Sequence, residues 1–329
     1  MSYLYPSGAQ VILPPDATPD DPAWHAARRG GLGGSDMAAI CGLDKYTSPL
    51  EVWHTKTGST VPRRDDPVLS EAALMGHILE PVVAQRFSDI TGLPVYDGGG
   101  TIQALDPAWA LANVDRVTQE NGEYGVLELK TRSSYALDEW LTEPPTGPWM
   151  QVQHYLMVTG WRYGHIACLI GGQRTIVHRV ERDDDLIDGL RTIGAEFWQQ
   201  VQDGTPPPVT GSAACTDLIN RLHPTPTTHQ VTADAAEVGA LLRQRAAALA
   251  ELAAPTAAID EAENRLRAIA GDATEVHVRG ELAYSWPQYS RRGSINWRRL
   301  ASDYPTVDLD AYRGPDTTYR VLRIPQETL

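Results

Sequence analysis

The chain has 329 residues, 42% hydrophobic and 21% charged, an ordinary globular balance with length for one large core or two modest ones. With no run of about eighteen apolar residues, and neither a basic nor an apolar leader at the N-terminus, no membrane span or export signal is read and a cytosolic address is expected. A net charge of −14 opposes a nucleic-acid-binding surface overall but permits a basic groove in an acidic exterior, and Cys41, Cys168 and Cys215, far apart, exclude a disulfide framework and a four-cysteine iron–sulfur centre.

Residues 1 to 20 are rich in Pro and Asp and read as irregular. Asp21-Pro22 starts a short helix carrying Trp24 and Arg28 toward Gly30, Gly31, Gly33 and Gly34, after which Ser35-Asp36 is expected to cap a helix through Cys41. A glycine turn feeding a helix N-terminus suits an anion. Ser48-Pro49 starts the next helix, ended at Gly58, and Arg63-Arg64-Asp65-Asp66 reads as a charged loop. From Glu71 to Thr91 a helical pattern carries Leu74, Ile78, Val82 and Phe87, with Pro81 as a kink and Gly92 as terminator. Glu80 is thereby expected in a mostly buried helix, where a carboxylate needs a cation, and His77 one turn before it reads as a satisfied core histidine.

Ala112 to Val117 and Tyr124 to Thr131 read as strands joined by Asn121-Gly122, the strongest short-range hairpin signal. A two-residue turn there sets Asp115 opposite Glu128, and strand periodicity brings Lys130 to the same face. Two carboxylates that close repel unless a cation lies between them, and an oxygen-only set suits Mg²⁺ or Mn²⁺. Ser133 to Leu141 looks helical, and Pro148 starts a helix to Gly160 on which Gln151 and Tyr155 share a face with His154 beside them. Tyr163 to Ile170 and Thr175 to Val180 alternate as strands around Gly171-Gly172, and Asp183-Asp184 caps a helix through Val201. Pro206-Pro207-Pro208 opens a Pro, Ser and Thr-rich stretch that reads as a linker. Beyond it, Val231 to Ala270 resembles a helical hairpin broken at Pro255, with heptad-like Val238, Leu241, Leu242, Leu249 and Leu252 suited to packing on another surface. The last segment interleaves Arg291, Arg292, Arg298, Arg299, Arg313, Arg320 and Arg323 with Trp286, Tyr289, Trp297, Tyr304 and Tyr312, a pattern that fits a nucleic-acid groove as well as a small core.

Val114-Asp115, in the place of Pro-Asp, with Glu128-Leu129-Lys130 resembles the PD-(D/E)xK nuclease motif. Trp24…Arg28-Arg29-Gly30-Gly31-Leu32-Gly33-Gly34-Ser35-Asp36, Gly76-His77-Ile78-Leu79-Glu80-Pro81 and Gln151-Val152-Gln153-His154-Tyr155 follow in an order that is similar to the YqaJ-type phage recombinases, relatives of lambda exonuclease. The resemblance covers residues 20 to 210. It implies that Glu80, Asp115, Glu128 and the Leu129 carbonyl hold Mg²⁺ or Mn²⁺, with two ions expected. It also implies that Lys130 and Gln151 serve catalysis and that Arg28, Ser35, Gln151 and Tyr155 hold DNA, the first two at a 5′-phosphate.

The expected fold is α/β, a restriction-endonuclease-like mixed sheet flanked by helices, with a C-terminal helical hairpin and a small α+β extension. The expected division is 1–208 exonuclease domain, 209–230 linker, 231–270 helical hairpin and 271–329 C-terminal α+β module. The implied function is metal-dependent 5′→3′ degradation of linear double-stranded DNA, leaving 3′ single strands for phage recombination by strand annealing. Its implied partners are double-stranded DNA ends, a single-strand annealing protein and further copies of the chain in a trimeric ring, with no membrane. A structure-selective or Cas4-like nuclease and a non-catalytic DNA-binding recombination scaffold are the alternatives.

Overall fold

The turn at Asn121-Gly122 sets the register of the central hairpin. Both residues take positive φ, 52° and 86°, the conformation of the two-residue turns whose twist matches the flanking strands. β5 (Arg116–Glu120) and β6 (Glu123–Arg132) therefore pair antiparallel from Glu120–Glu123 to Arg116–Leu127. The computed structural model describes residues 5–15, 17, 21–62, 64, 66–224, 234–270, 273–278, 281–285, 300 and 302–308.

β6 is the middle strand of a five-stranded mixed sheet. Its second edge pairs parallel with β7 (Tyr163–Ile170); β8 (Arg174–Glu181) adds antiparallel beyond β7, and β2 (Val95–Asp97) adds antiparallel to β5 at the far side. Parallel neighbours require a crossover, supplied here by α5 (Leu137–Trp140) and α6 (Thr146–Thr159). All of β7 is buried, as a strand covered on both faces must be.

Alternation along the two parallel strands assigns the faces. Val126, Ile166 and Cys168 share a core with Val152 and Leu156 of α6, whereas Leu127, Leu129, Ala167 and Leu169 pack with Val83, Ala84 and Phe87 of α4 (Pro67–Thr91). Glu128 and Lys130 fall by the same period on the α6 face. The expected mixed α/β sheet flanked by helices is thus the architecture of the chain.

Four further helices of the first unit each follow a capping residue. α1 (Pro22–Arg29) is capped by the Asp21 carboxylate, α3 (Pro49–Lys56) by Ser48 and α7 (Asp184–Gln202) by Asp183, while α2 (Gly34–Ile40) begins after Gly33. β1 (Gln10–Leu13) lies in the stretch expected to be irregular and pairs with β3 (Thr101–Gln103), which pairs with β4 (Leu111–Asn113) in a separate three-stranded sheet. Hairpin residues 112–115 consequently do not all belong to the central sheet: β4 leaves it, and Asp115 is a bend between β4 and β5.

Further expectations change in the first unit. α4 starts at Pro67 and uses only a narrow stripe for its core contact, so Leu74, Ile78 and Val82 are exposed rather than buried. The expected linker contains α8 (Ala213–Leu222), whose Cys215 and Leu218 pack on Leu50 of α3, and the chain divides into units Met1–Pro224 and Thr225–Leu329. Arg221 reaches Glu51 at 2.7 Å and Arg64 reaches Asp217 at 2.7 Å, fastening α8 to α3 and giving Arg64 of the expected charged loop a fixed partner.

In the second unit a single helix, α9 (Ala235–Ala270), runs through Pro255 where a hairpin was expected. Proline removes one helical hydrogen bond, but a reversal also needs turn-forming residues, and the sequence on both sides of Pro255 is alanine-rich. A two-stranded hairpin follows, β9 (Glu275–Val278) with β10 (Glu281–Ser285). Of the interleaved arginines and aromatics expected near the C-terminus, only Tyr304 lies within the described residues, and it is exposed.

Candidate active site

Asp115 lies one position beyond the Arg116–Leu127 pair, which sets it across from Glu128. Leaving the ladder frees its side chain to turn inward, and its Oδ2 accepts the Leu129 N–H at 2.8 Å. Glu128 is 1% exposed; its Oε1 meets Lys130 Nζ at 2.5 Å, while its buried Oε2 has no hydrogen-bond partner. A buried carboxylate oxygen without a donor is costly. A divalent cation would satisfy it.

From Lys130 the contacts continue into α6. Lys130 Nζ also donates to Gln151 Oε1 at 3.0 Å, and Gln151 Nε2 donates to the Tyr155 hydroxyl at 2.9 Å. The expected pairing of Gln151 and Tyr155 on one helix face is therefore physical, and it adjoins the β6 charges. His154, on the neighbouring face, is fully buried and bonds the Leu111 carbonyl instead.

The electrostatics follow from this crowding. Burial, then Glu128, pushes the Asp115 carboxyl well above the usual range, with the Glu80 charge adding to the pressure. Burial opposes the Lys130 charge, but Glu128 and then Asp115 raise its pKa, so the ammonium persists. Burial, Glu128 and Asp115 likewise raise the Tyr155 phenol well above its ordinary value, keeping its proton in place.

Glu80 does not join the two carboxylates. Its helix covers the opposite face of the sheet, and Glu80, 30% exposed, takes His77 Nδ1 at 3.0 Å. His77 is 81% exposed and is not a core residue. Among the described residues no three His, Cys, Asp or Glu side chains gather closely enough to hold a metal ion. The three expected carboxylates thus have separate partners here: Asp115 takes the Leu129 N–H, Glu128 takes Lys130 and Glu80 pairs with His77.

Arg28 and the glycine turn reach the same place from the other side. Gly34, the first residue of α2, lies so close to α6 that a Cβ there would come within 2.8 Å of Gln151 Cγ and 2.9 Å of Tyr155 Cε1. Ser35 follows it, exposed, in the first turn of α2. Ser35 is not the cap; Gly33 holds that position, and Asp36 accepts the Gly33 N–H at 2.8 Å. The Arg28 guanidinium lies over the Trp24 ring at 4.8 Å, and its charge registers at both Asp36 and Tyr155.

Lys56 ties these pieces together and was not singled out by sequence reasoning. Its buried Nζ bonds Asp36 Oδ2 at 2.6 Å and the Arg28 carbonyl at 2.7 Å, joining α3 to the ends of α1 and α2. Burial opposes the Asp36 charge, and Lys56 more than offsets it, holding the carboxyl below its usual range. The sequence signal was available, since Lys56 follows Val52 by one helical turn on the buried side of α3. Beside Asp115 a cleft of about 440 Å³ is lined by Trp24, Asp97, Asn113 and Arg116.

Residues 23–162 match the YqaJ-like viral recombinase domain. The chain is 40% identical over 202 residues to the uncharacterized protein YqaJ of Bacillus subtilis (strain 168), a match covering 60% of this chain and 62% of that protein's length. The alkaline exonuclease LHK-Exo of Laribacter hongkongensis superposes with a TM-score of 0.46 at 22% identity, over 56% of this chain and 94% of that one. A phage related exonuclease from Haemophilus somnus 129PT gives 0.36 at 13% identity, over 55% and 99%.

Proposed function

We propose that this chain, whose residues 23–162 match a YqaJ-like viral recombinase domain, is a metal-dependent deoxyribonuclease that degrades linear double-stranded DNA from its ends. The observation that carries this reading is the junction of Glu128, Lys130 and Gln151 beside Asp115, with one buried Glu128 oxygen lacking a donor. An oxygen donor set of this kind fits Mg²⁺ or Mn²⁺. Asp115, Glu128 and the Leu129 carbonyl would hold it, with Glu80 assisting once it parts from His77, and a second ion belongs to the same proposal. Bound there, the metal would supply charge neutralisation at the phosphate and an acidified water.

The chain's own residues have distinct tasks in this reading. Lys130 keeps its proton, so it serves as a fixed positive charge rather than as a base, and it stabilises negative charge building on the attacked phosphate. Gln151 orients Lys130 and is itself braced by Tyr155. Arg28 offers a planar fork to a terminal phosphate, and Ser35 adds a hydroxyl beside it.

The 5′→3′ direction, the 3′ single-stranded product, a trimeric ring and a single-strand annealing partner in the host cytosol complete the proposal. The direction draws on Arg28 and Ser35, which the resemblance to the YqaJ-type recombinases casts as holding a 5′-phosphate; the other three rest on that resemblance alone. The test is digestion of linear duplexes labelled at either end, beside a closed circular duplex, with Mg²⁺ and with chelator. Metal-dependent loss of the 5′ label from linear DNA alone supports the reading; cleavage of the circle, or loss of the 3′ label first, contradicts it.

A further inference from the structure

α9 is 36 residues long, about 54 Å at 1.5 Å per residue, and it carries an exposed apolar seam. Leu249, Leu252, Ile259 and Leu266 are 49%, 62%, 58% and 43% exposed. Together with Val238 and Leu242, and with Arg245, Thr256 and Glu263 filling the gaps, they form a run at alternating intervals of four and three residues, the a and d spacing of a coiled coil. Two seam positions are charged: Arg245 in the first half and Glu263 in the second.

We infer that α9 pairs antiparallel with α9 of a second copy of this chain, in the register that sets Arg245 against Glu263 of the other helix. That one register also sets Leu242 against Leu266 and Leu249 against Ile259, and Leu252 against Thr256, whose hydroxyl bonds the Leu252 carbonyl of its own helix, so no layer stacks like charges. Leu241 and Ile269, 59% and 70% exposed beside the seam, then meet each other across the pair. Parallel pairing in register would stack Arg245 on Arg245 and Glu263 on Glu263, and a like-charge layer away from water opposes it. Charged residues at seam positions fix register and orientation at some cost in affinity.

Local contacts leave room for this. Glu263 holds Arg267 within its own helix, and a carboxylate has oxygens enough for a second guanidinium. Pro255 falls beside the seam, not on it. The β10 residue Tyr284 donates to the Leu266 carbonyl at 2.8 Å while the Leu266 side chain stays exposed. The inference is independent of the nuclease reading, since no active-site residue enters it.

Sedimentation velocity on the full chain tests it, with far-UV circular dichroism to confirm folding. The expected result is that Arg245→Glu and Glu263→Arg each halve the wild-type mass and that Arg245→Glu/Glu263→Arg restores it. Equal masses for wild type and both single variants, as a seam covered from within its own chain would give, overturn the interface. Single variants that dissociate without recovery in the double exchange overturn the antiparallel register.

Discussion

Asp115 faces Glu128 across the central hairpin while its Oδ2 takes the Leu129 N–H at 2.8 Å. This holds two carboxylates together in protein surroundings and raises the Asp115 pKa, first by burial and then by the Glu128 charge. The folded chain then keeps a proton that the unfolded chain releases near 3.8. Stability therefore falls as pH rises from that value to the folded pKa and is constant above it. Asp115→Asn removes this penalty and can still accept the Leu129 N–H. Without divalent metal it should melt above wild type at pH 8, by about 2–4 °C for each kcal/mol relieved. The gain should vanish near pH 4. A lower melting temperature at pH 8 would count against the crowded carboxylates.

Lys56 should act at a distance on whatever Arg28 binds. Lys56→Met leaves the Asp36 charge without its partner and the Arg28 carbonyl without its donor. A loss of about 3–5 kcal/mol is expected for breaking such a buried pair. In the surviving folded protein, the rate advantage of 5′-phosphorylated over 5′-hydroxyl ends should shrink, as it should in Arg28→Ala. If Lys56→Met keeps the end preference of wild type, the pair does not position Arg28.

The boundary at Pro224 can be tested by truncation. A chain ending there should retain the melting temperature of the first unit. One ending at Pro208 loses α8, with buried Cys215 and Leu218 and the Arg221–Glu51 pair. Each large buried apolar side chain is worth about 1.5–3 kcal/mol, so the shorter chain should melt at lower temperature. Equal melting would show α8 to be dispensable.

Two buried histidines should make the fold sensitive to acid. Burial pushes His154 down to about 4, and burial together with Arg179 does the same to His165. Both are neutral in the folded chain, so their full stability is present above pH 6.5 and is lost as pH falls toward about 4. Each contributes on the order of 3 kcal/mol across that window. His165 stacks edge-on with Phe87 and Tyr163 and its Nδ1 is unpartnered, so His165→Phe should flatten its share of the acid loss. Urea midpoints at pH 7.5 and 4.5 would show this; an unchanged difference would contradict it.

Much of the site could be read from the chain because local rules settled it. Asn121-Gly122 dictated a turn of two residues, and that turn alone placed Asp115 across from Glu128 and left Lys130 on their face. Gln151 and Tyr155 followed from helical spacing. The burial around Glu80 was overestimated because periodicity shows which residues of α4 are apolar but not how wide a stripe the sheet covers; Val83, Ala84 and Phe87 suffice. Lys56 was missed because its partners come from two other helices. The division of the strands between two sheets depends on β4 leaving β5 at Asp115, a bend that no residue preference announces.

In the proposed reaction the Glu128 carboxylate, half engaged by Lys130 and half without a donor, serves a divalent metal in DNA hydrolysis. The most direct test is the rate of linear-duplex digestion by wild type and Glu128→Gln, with Mg²⁺ and with chelator. The glutamine amide oxygen can still accept from Lys130, so the fold should persist. Digestion by wild type only with metal is expected, together with a loss of more than about a hundredfold in the variant. Digestion by Glu128→Gln at the wild-type rate, or by wild type in chelator, would contradict it.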